Sequence, residues 1–196
     1  GGMLGGLGQS FGSLLGSTNK VMPKSEQELS AEELALGPQI AGRVLGARPL
    51  WSDAAAQQRV NVVGRWVALQ TSAPSLPWTF GVIDTPEINA FAAPGGYVMV
   101  TRGLYELLGS DSELAAVLGH EISHCVQRDH YNVIRNQEMA TLGKDTVSSK
   151  TTVATGSPAE LFARQYVEKH GATILLTSMD REAEYRADKA AEIYLA

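Results

Sequence analysis

The segment Gly119-His120-Glu121-Ile122-Ser123-His124 constrains this 196-residue chain more than any other, because it sets two imidazoles four residues apart with a carboxylate directly after the first. On a helix, His120 and His124 fall one turn apart on one face, spaced to bind a single Zn²⁺ ion, and Glu121 sits beside them to activate a metal-bound water. The flanking residues supply such a helix. Gly109 closes a short helix running from about Leu104 to Leu108, and Ser110-Asp111-Ser112-Glu113 reads as a capping box that opens the next one. From there Leu114, Leu118, Ile122 and Cys125 recur on one stripe, while His120, Glu121, His124 and Arg128 fall on its neighbour. The pattern predicts a helix buried on one side and chemically active on the other, which is a stronger reading than a helix whose two histidines are merely solvated.

A catalytic zinc usually has three protein ligands and a water, so two histidines leave the set one short. His130 lies at the spacing of the last histidine in H-E-x-x-H-x-x-G-x-x-H, but position 127 is Gln, and a helix continuing through it would not swing His130 back to the metal. His130 then reads as a solvated histidine at the helix end. The other candidate lies in Ser178-Met179-Asp180-Arg181-Glu182-Ala183-Glu184-Tyr185-Arg186-Ala187-Asp188. Ser178 or Asp180 can cap a helix whose Ala183, Ala187, Ala190 and Ala191 form a small-residue face. Glu184 and Asp188 are then one turn apart, in an arrangement where the first carboxylate can ligate and the second can accept the N–H of a ligating histidine. Without a cation the two would repel.

The run from Trp78-Thr79-Phe80 through Asn89-Ala90-Phe91-Ala92-Ala93-Pro94-Gly95-Gly96-Tyr97-Val98-Met99-Val100-Thr101, followed by the histidine motif and by Glu184-Tyr185-Arg186-Ala187-Asp188, resembles the HtpX-like and CAAX-prenyl-protease-like zinc metallopeptidases. The likeness is greatest to their soluble bacterial envelope branch. It implies an α+β fold, a mostly helical zincin-like domain with a small antiparallel β-sheet over the histidine helix. It also implies one Zn²⁺ per chain held by His120, His124 and Glu184, with Glu121 as general base and Asp188 supporting His120. In zinc peptidases of this type an edge strand receives an extended polypeptide substrate through backbone hydrogen bonds. Asn89, Ala90, Phe91 and Ala92 are the expected edge here. The oxyanion formed during hydrolysis needs a further donor, for which Tyr131, His130, Tyr185 and Arg181 are the candidates.

No stretch of eighteen or more apolar residues occurs, so nothing in the chain reads as a membrane span. The resemblance therefore implies a periplasmic or envelope protein with envelope or membrane-associated partners, a cytoplasmic one being the alternative. A net charge of −5 without a Lys/Arg cluster argues against a nucleic-acid surface. The single cysteine, Cys125, cannot form an internal disulfide and reads as a small core residue. Residues 1–24 form a Gly/Ser-rich flexible leader that lacks the basic and apolar regions of a signal peptide, and residues 25–196 form one domain. The last helix ends without a capping glycine, so the natural chain is expected to continue.

Within the domain, helices are expected at about Ser25 to Leu45 and Ser52 to Gln70, with Trp51, Trp66 and Trp78 as core anchors. Strands follow at about Trp78 to Val82, Asn89 to Ala92 and Tyr97 to Thr101, the last two joined by the turn Pro94-Gly95-Gly96. A helical arm to Leu142, a mobile Ser/Thr-rich loop from Gly143 to Pro158 and a helix from Ala159 to His170 complete the order. Two other function classes fit the same residues. One is a metzincin-like protease using His130, and the other is a zinc-stabilised chaperone-like or autoinhibited binding domain in which the loop from Lys144 to Pro158 acts as a lid.

Overall fold

The computed structural model describes residues 26–142, 156–171 and 181–196. The leader, most of the loop that begins at Gly143 and the helix caps at Ser178 and Asp180 lie outside these residues. The elements run in the order α1 (Glu26–Ala47), α2 (Ala54–Ala68), β1 (Thr79–Ile83), β2 (Ala90–Ala93), β3 (Tyr97–Thr101), α3 (Arg102–Leu107), α4 (Asp111–Val126), α5 (Asp129–Leu142), α6 (Pro158–His170) and α7 (Arg181–Leu195). This is the mostly helical α+β fold the sequence implies.

The sheet is mixed, with strand order β1-β3-β2, and not wholly antiparallel as expected. The β2–β3 pair is a hairpin, Ala93 opposite Tyr97, closed by Pro94-Gly95-Gly96. Gly95 and Gly96 take φ values of +79° and +91°, which only glycine adopts without strain. β1 does not join that meander. The segment after Ile83 crosses to the far side of β3, so β1 pairs parallel with β3 from Thr79 opposite Tyr97 to Ile83 opposite Thr101. The central position thus falls to β3, and β2 becomes an edge.

Alternation along the strands separates two faces. Phe80, Val82, Ala92, Val98 and Val100 pack with Val60, Val67, Leu114, Leu118 and Ile122 of α2 and α4. Ile83 and Met99 point the other way, towards Ala41 of α1 with Phe91 and Tyr97 alongside. α1 also joins α5 and α6 in a second core built on Leu36, Ile40, Tyr131, Ile134, Ala163 and Tyr166. Trp78 is buried and stacks on Phe80, and Trp51 meets Tyr105 edge-on. Trp66 departs from the expectation: it stands half exposed on the outer face of α2 with Val62 and Leu69.

α4 starts where the capping residues put it. The Ser110 hydroxyl accepts from the Glu113 N–H, but the Glu113 carboxylate reaches one residue further back than in a capping box and accepts from the Gly109 N–H at 2.6 Å. α4 ends at Val126 because Arg128 adopts the left-handed region, φ +58°, and α5 begins at once with Asp129. α6 opens with a complete capping box between Ser157 and Glu160. α7 packs along α4 through Ala183, Ala187 and Ala191, and an added Cβ on Gly119 would lie 3.3 Å from the Ala191 Cβ.

Candidate metal centre

α4 carries His120 and His124 on the stripe that faces α7, and α7 presents Glu184 to both. His120 Nε2 lies 3.1 Å from His124 Nε2 and 3.2 Å from Glu184 Oε2, and His124 Nε2 is 3.8 Å from Glu184 Oε1. Among the described residues these three side chains form a group able to hold a metal ion, one ligand atom from each lying within 4.8 Å of the others. A tetrahedral ion bound at zinc–ligand lengths has ligand–ligand edges of roughly 3.3 Å, close to the separations of His120 Nε2 from His124 Nε2 and from Glu184 Oε2, whereas His124 lies nearer the other Glu184 oxygen.

The outer nitrogens bear on what such a group could hold. His120 Nδ1 is 2.8 Å from Asp188 Oδ1, and His124 Nδ1 is 2.8 Å from Asp129 Oδ2. A carboxylate only accepts, so in its neutral form each imidazole donates from Nδ1 and turns a bare lone pair inward from Nε2. Two lone pairs and a carboxylate then converge with no donor among them, an arrangement that a cation resolves. Burial draws the pKa of His124 down, but the Asp129 hydrogen bond and the charges of Glu121 and Glu184 outweigh it and raise the pKa overall.

Glu121 follows His120 on α4 and lines a groove with Asn89, Ala90, Leu104, Ala116, Val117, His120 and Asp188. Burial raises its carboxyl above the ordinary value, an effect that His120 and His124 oppose and Glu184 reinforces. The groove is bounded by β2, which among the described residues hydrogen-bonds only to β3 and leaves its other backbone edge unpaired. Ala90 and Phe91 are half-buried along it, whereas the Ala92 side chain is enclosed in the core. Asn89 precedes the strand and is fixed by Thr101, whose hydroxyl and N–H both bond to the Asn89 carbonyl.

The remaining candidates are spread out. His130 is not a solvated helix end: it is buried, its ring 5.7 Å from that of His124, and burial holds its pKa down to about 4. The chain does leave the helix after Gln127, but the left-handed residue is Arg128, and the turn delivers His130 to the flank of His124 and not to the group of His120, His124 and Glu184. Tyr131 is buried in the second core with its hydroxyl donating to Glu32 at 3.0 Å, which takes it from the oxyanion candidates. Tyr185 is exposed next to Glu184. Arg181 opens α7, and its side chain lies outside those described. The Cys125 thiol is buried, donates to the Ala93 carbonyl and has its pKa pushed far up by burial, so it is a core residue and not a nucleophile.

Asp129 was not among the residues singled out from the sequence. Its only signal there is a position five residues after His124, which no continuous helix would bring to the imidazole's outer nitrogen. The break at Arg128 does so.

A family model for peptidase family M48 matches residues 54–196. The chain belongs to peptidase family M48. Over 107 residues, 55% of this chain, it is 32% identical to the beta-barrel assembly-enhancing protease of Escherichia coli strain K12, a match covering 22% of that protein. Over 53 residues, 27% of this chain, it is 42% identical to the mitochondrial metalloendopeptidase OMA1 of Arabidopsis thaliana, covering 11% of it. The corresponding bovine protein is 45% identical over 49 residues, 25% of this chain and 9% of that protein. The chain thus matches under a quarter of the length of these relatives. No helix among the described residues is long and apolar enough to cross a membrane.

Proposed function

We propose that this M48 domain is a zinc-dependent endopeptidase that hydrolyses polypeptides presented in extended form, with one Zn²⁺ per chain held by His120, His124 and Glu184. The carrying observation is the inward convergence of two imidazole nitrogens and a carboxylate beside Glu121, at the foot of a strand edge that is unpaired among the described residues. When bound, zinc supplies Lewis acidity at the scissile carbonyl and lowers the pKa of its water towards neutrality. Glu121 accepts a proton from the attacking water and passes it to the leaving amine. Its burial raises its proton affinity, which suits a group that must hold that proton between the two transfers.

Substrate binding falls to the outer backbone edge of β2 from Ala90 onward, where an added strand would make main-chain hydrogen bonds that tolerate many side chains; the Asn89 N–H and carbonyl are both taken by Thr101. A folded protein has few extended segments free to pair in this way, so unfolded chains are the preferred class. Tyr185 and Arg181 remain the oxyanion candidates. Likeness to the beta-barrel assembly-enhancing protease supports work in protein quality control at the bacterial envelope, with envelope or membrane-associated partners. The test is cleavage of an unstructured fluorogenic peptide by the purified chain, which chelator should abolish and Zn²⁺ restore. Hydrolysis indifferent to chelator, or none in a zinc-loaded chain, would rule the reading out.

Asp188 acts in this scheme through His120. Asp188→Asn should weaken zinc retention about 10 to 100-fold, the usual cost of losing a residue that supports a ligand. At saturating zinc its KM should stay near the parent's. A variant that kept zinc as tightly as the parent and showed only a raised KM would move Asp188 into the substrate groove.

A further inference from the structure

Two of the proposed ligands ride on α4 and the third on α7, so the centre exists only while the helices keep one register. Their interface is built of small residues, with Gly119 against Ala191 and with Ala183 and Ala187 buried along it. Such faces bring helices close but offer few large side chains to lock one against the other. A polar chain spans the gap at the α4–α5 break. Asp129 is 6% exposed, with Oδ2 on His124 Nδ1 and Oδ1 accepting from Arg186 at 3.3 Å. Arg186 lies two residues past Glu184, and its Nε donates to Gln127 Oε1 at 2.9 Å. The Gln127 amide in turn donates to the Ser123 hydroxyl on α4. A buried carboxylate held on both oxygens is satisfied, and losing either partner leaves a desolvated charge short of one.

We propose that Asp129 and Arg186 are a coupled pair of positioning residues for the third ligand. Asp129 orients His124, and Arg186, anchored on the same carboxylate, holds α7 at the register that brings Glu184 to the two imidazoles. Neither residue touches metal or substrate. The inference rests on the reading of His120, His124 and Glu184 as the ligands. A pair that served only the fold would alter unfolding temperature and leave the surroundings of a bound metal unchanged.

The test measures Zn²⁺ affinity of the purified chain by competition with a chromophoric chelator, together with the visible absorption of the Co²⁺-loaded chain, which reports the ligand set. Asp129→Asn and Arg186→Ala should each weaken Zn²⁺ binding about 10 to 100-fold. Arg186→Ala should also shift the Co²⁺ spectrum towards that of Glu184→Gln. Because the two act as a unit, the double variant should lose no more than the worse single, and Arg186→Lys should recover part of the loss. Affinities close to the parent's with an unchanged Co²⁺ spectrum overturn the proposal, as do losses that add in full in the double variant. If Arg186→Ala fails to fold, Arg186→Lys and Gln127→Ala carry the same comparison. A parent chain that takes up no Zn²⁺ overturns the metal-centre reading and this pairing with it, an outcome separate from failure of the variants alone.

Discussion

Glu121→Gln is expected to leave zinc bound while peptide hydrolysis falls about 10²–10⁴-fold, the range a positioned general base contributes. The amide keeps the shape of the carboxyl in the groove beside His120 and Ala90, so binding of metal and peptide should persist. What it cannot do is take a proton from water. Metal analysis and turnover on the same sample separate the two effects. Substantial turnover in a zinc-loaded Glu121→Gln chain would mean that another group is the base.

The second large effect belongs to Glu184. Glu184→Gln should lower zinc affinity by more than the about 10 to 100-fold typical of residues that only support a ligand. The carboxylate facing both Nε2 atoms is replaced by a neutral amide, and the electrostatic reason for a cation there weakens. His130→Ala removes a buried ring from the flank of His124 and should cost fold stability, yet leave zinc affinity of the folded chain near the parent value. Metal analysis after dialysis against weak chelator gives the comparison. Equal losses, or a larger one in His130→Ala, would sink the assignment of the third ligand.

What could be read in the sequence was what depends on local spacing. The i, i+4 histidines, the Ser110 cap, the small-residue face of α7 and the turn Pro94-Gly95-Gly96 each act within a few residues, and each appears in the fold where the pattern set it. What could not be read depends on contacts between distant segments. The parallel pairing of β1 with β3 follows from a crossing that no residue in 84–89 announces. The break at Arg128 was hidden because the left-handed residue is an arginine and not the glycine that such positions favour. Its side chain is spent on α1, where Glu33 accepts from Arg128 Nε at 2.9 Å. Glu32 and Glu33, near the start of α1, are buried, with Arg135 and Tyr131 on Glu32. Their partners are about a hundred residues away, beyond any local pattern.

The division of the proposed ligands between α4 and the last helix also sets an order of events during biosynthesis. A chain emerging from the ribosome completes the pair His120 and His124 sixty residues before it reaches Glu184. Through that interval the growing polypeptide carries Glu121 and the strand edge but lacks the third proposed ligand, so on the proposed ligand set it would not yet cleave its own unfolded segments or those of neighbouring nascent chains. On the proposed ligand set, competence arrives only when α7 docks on α4.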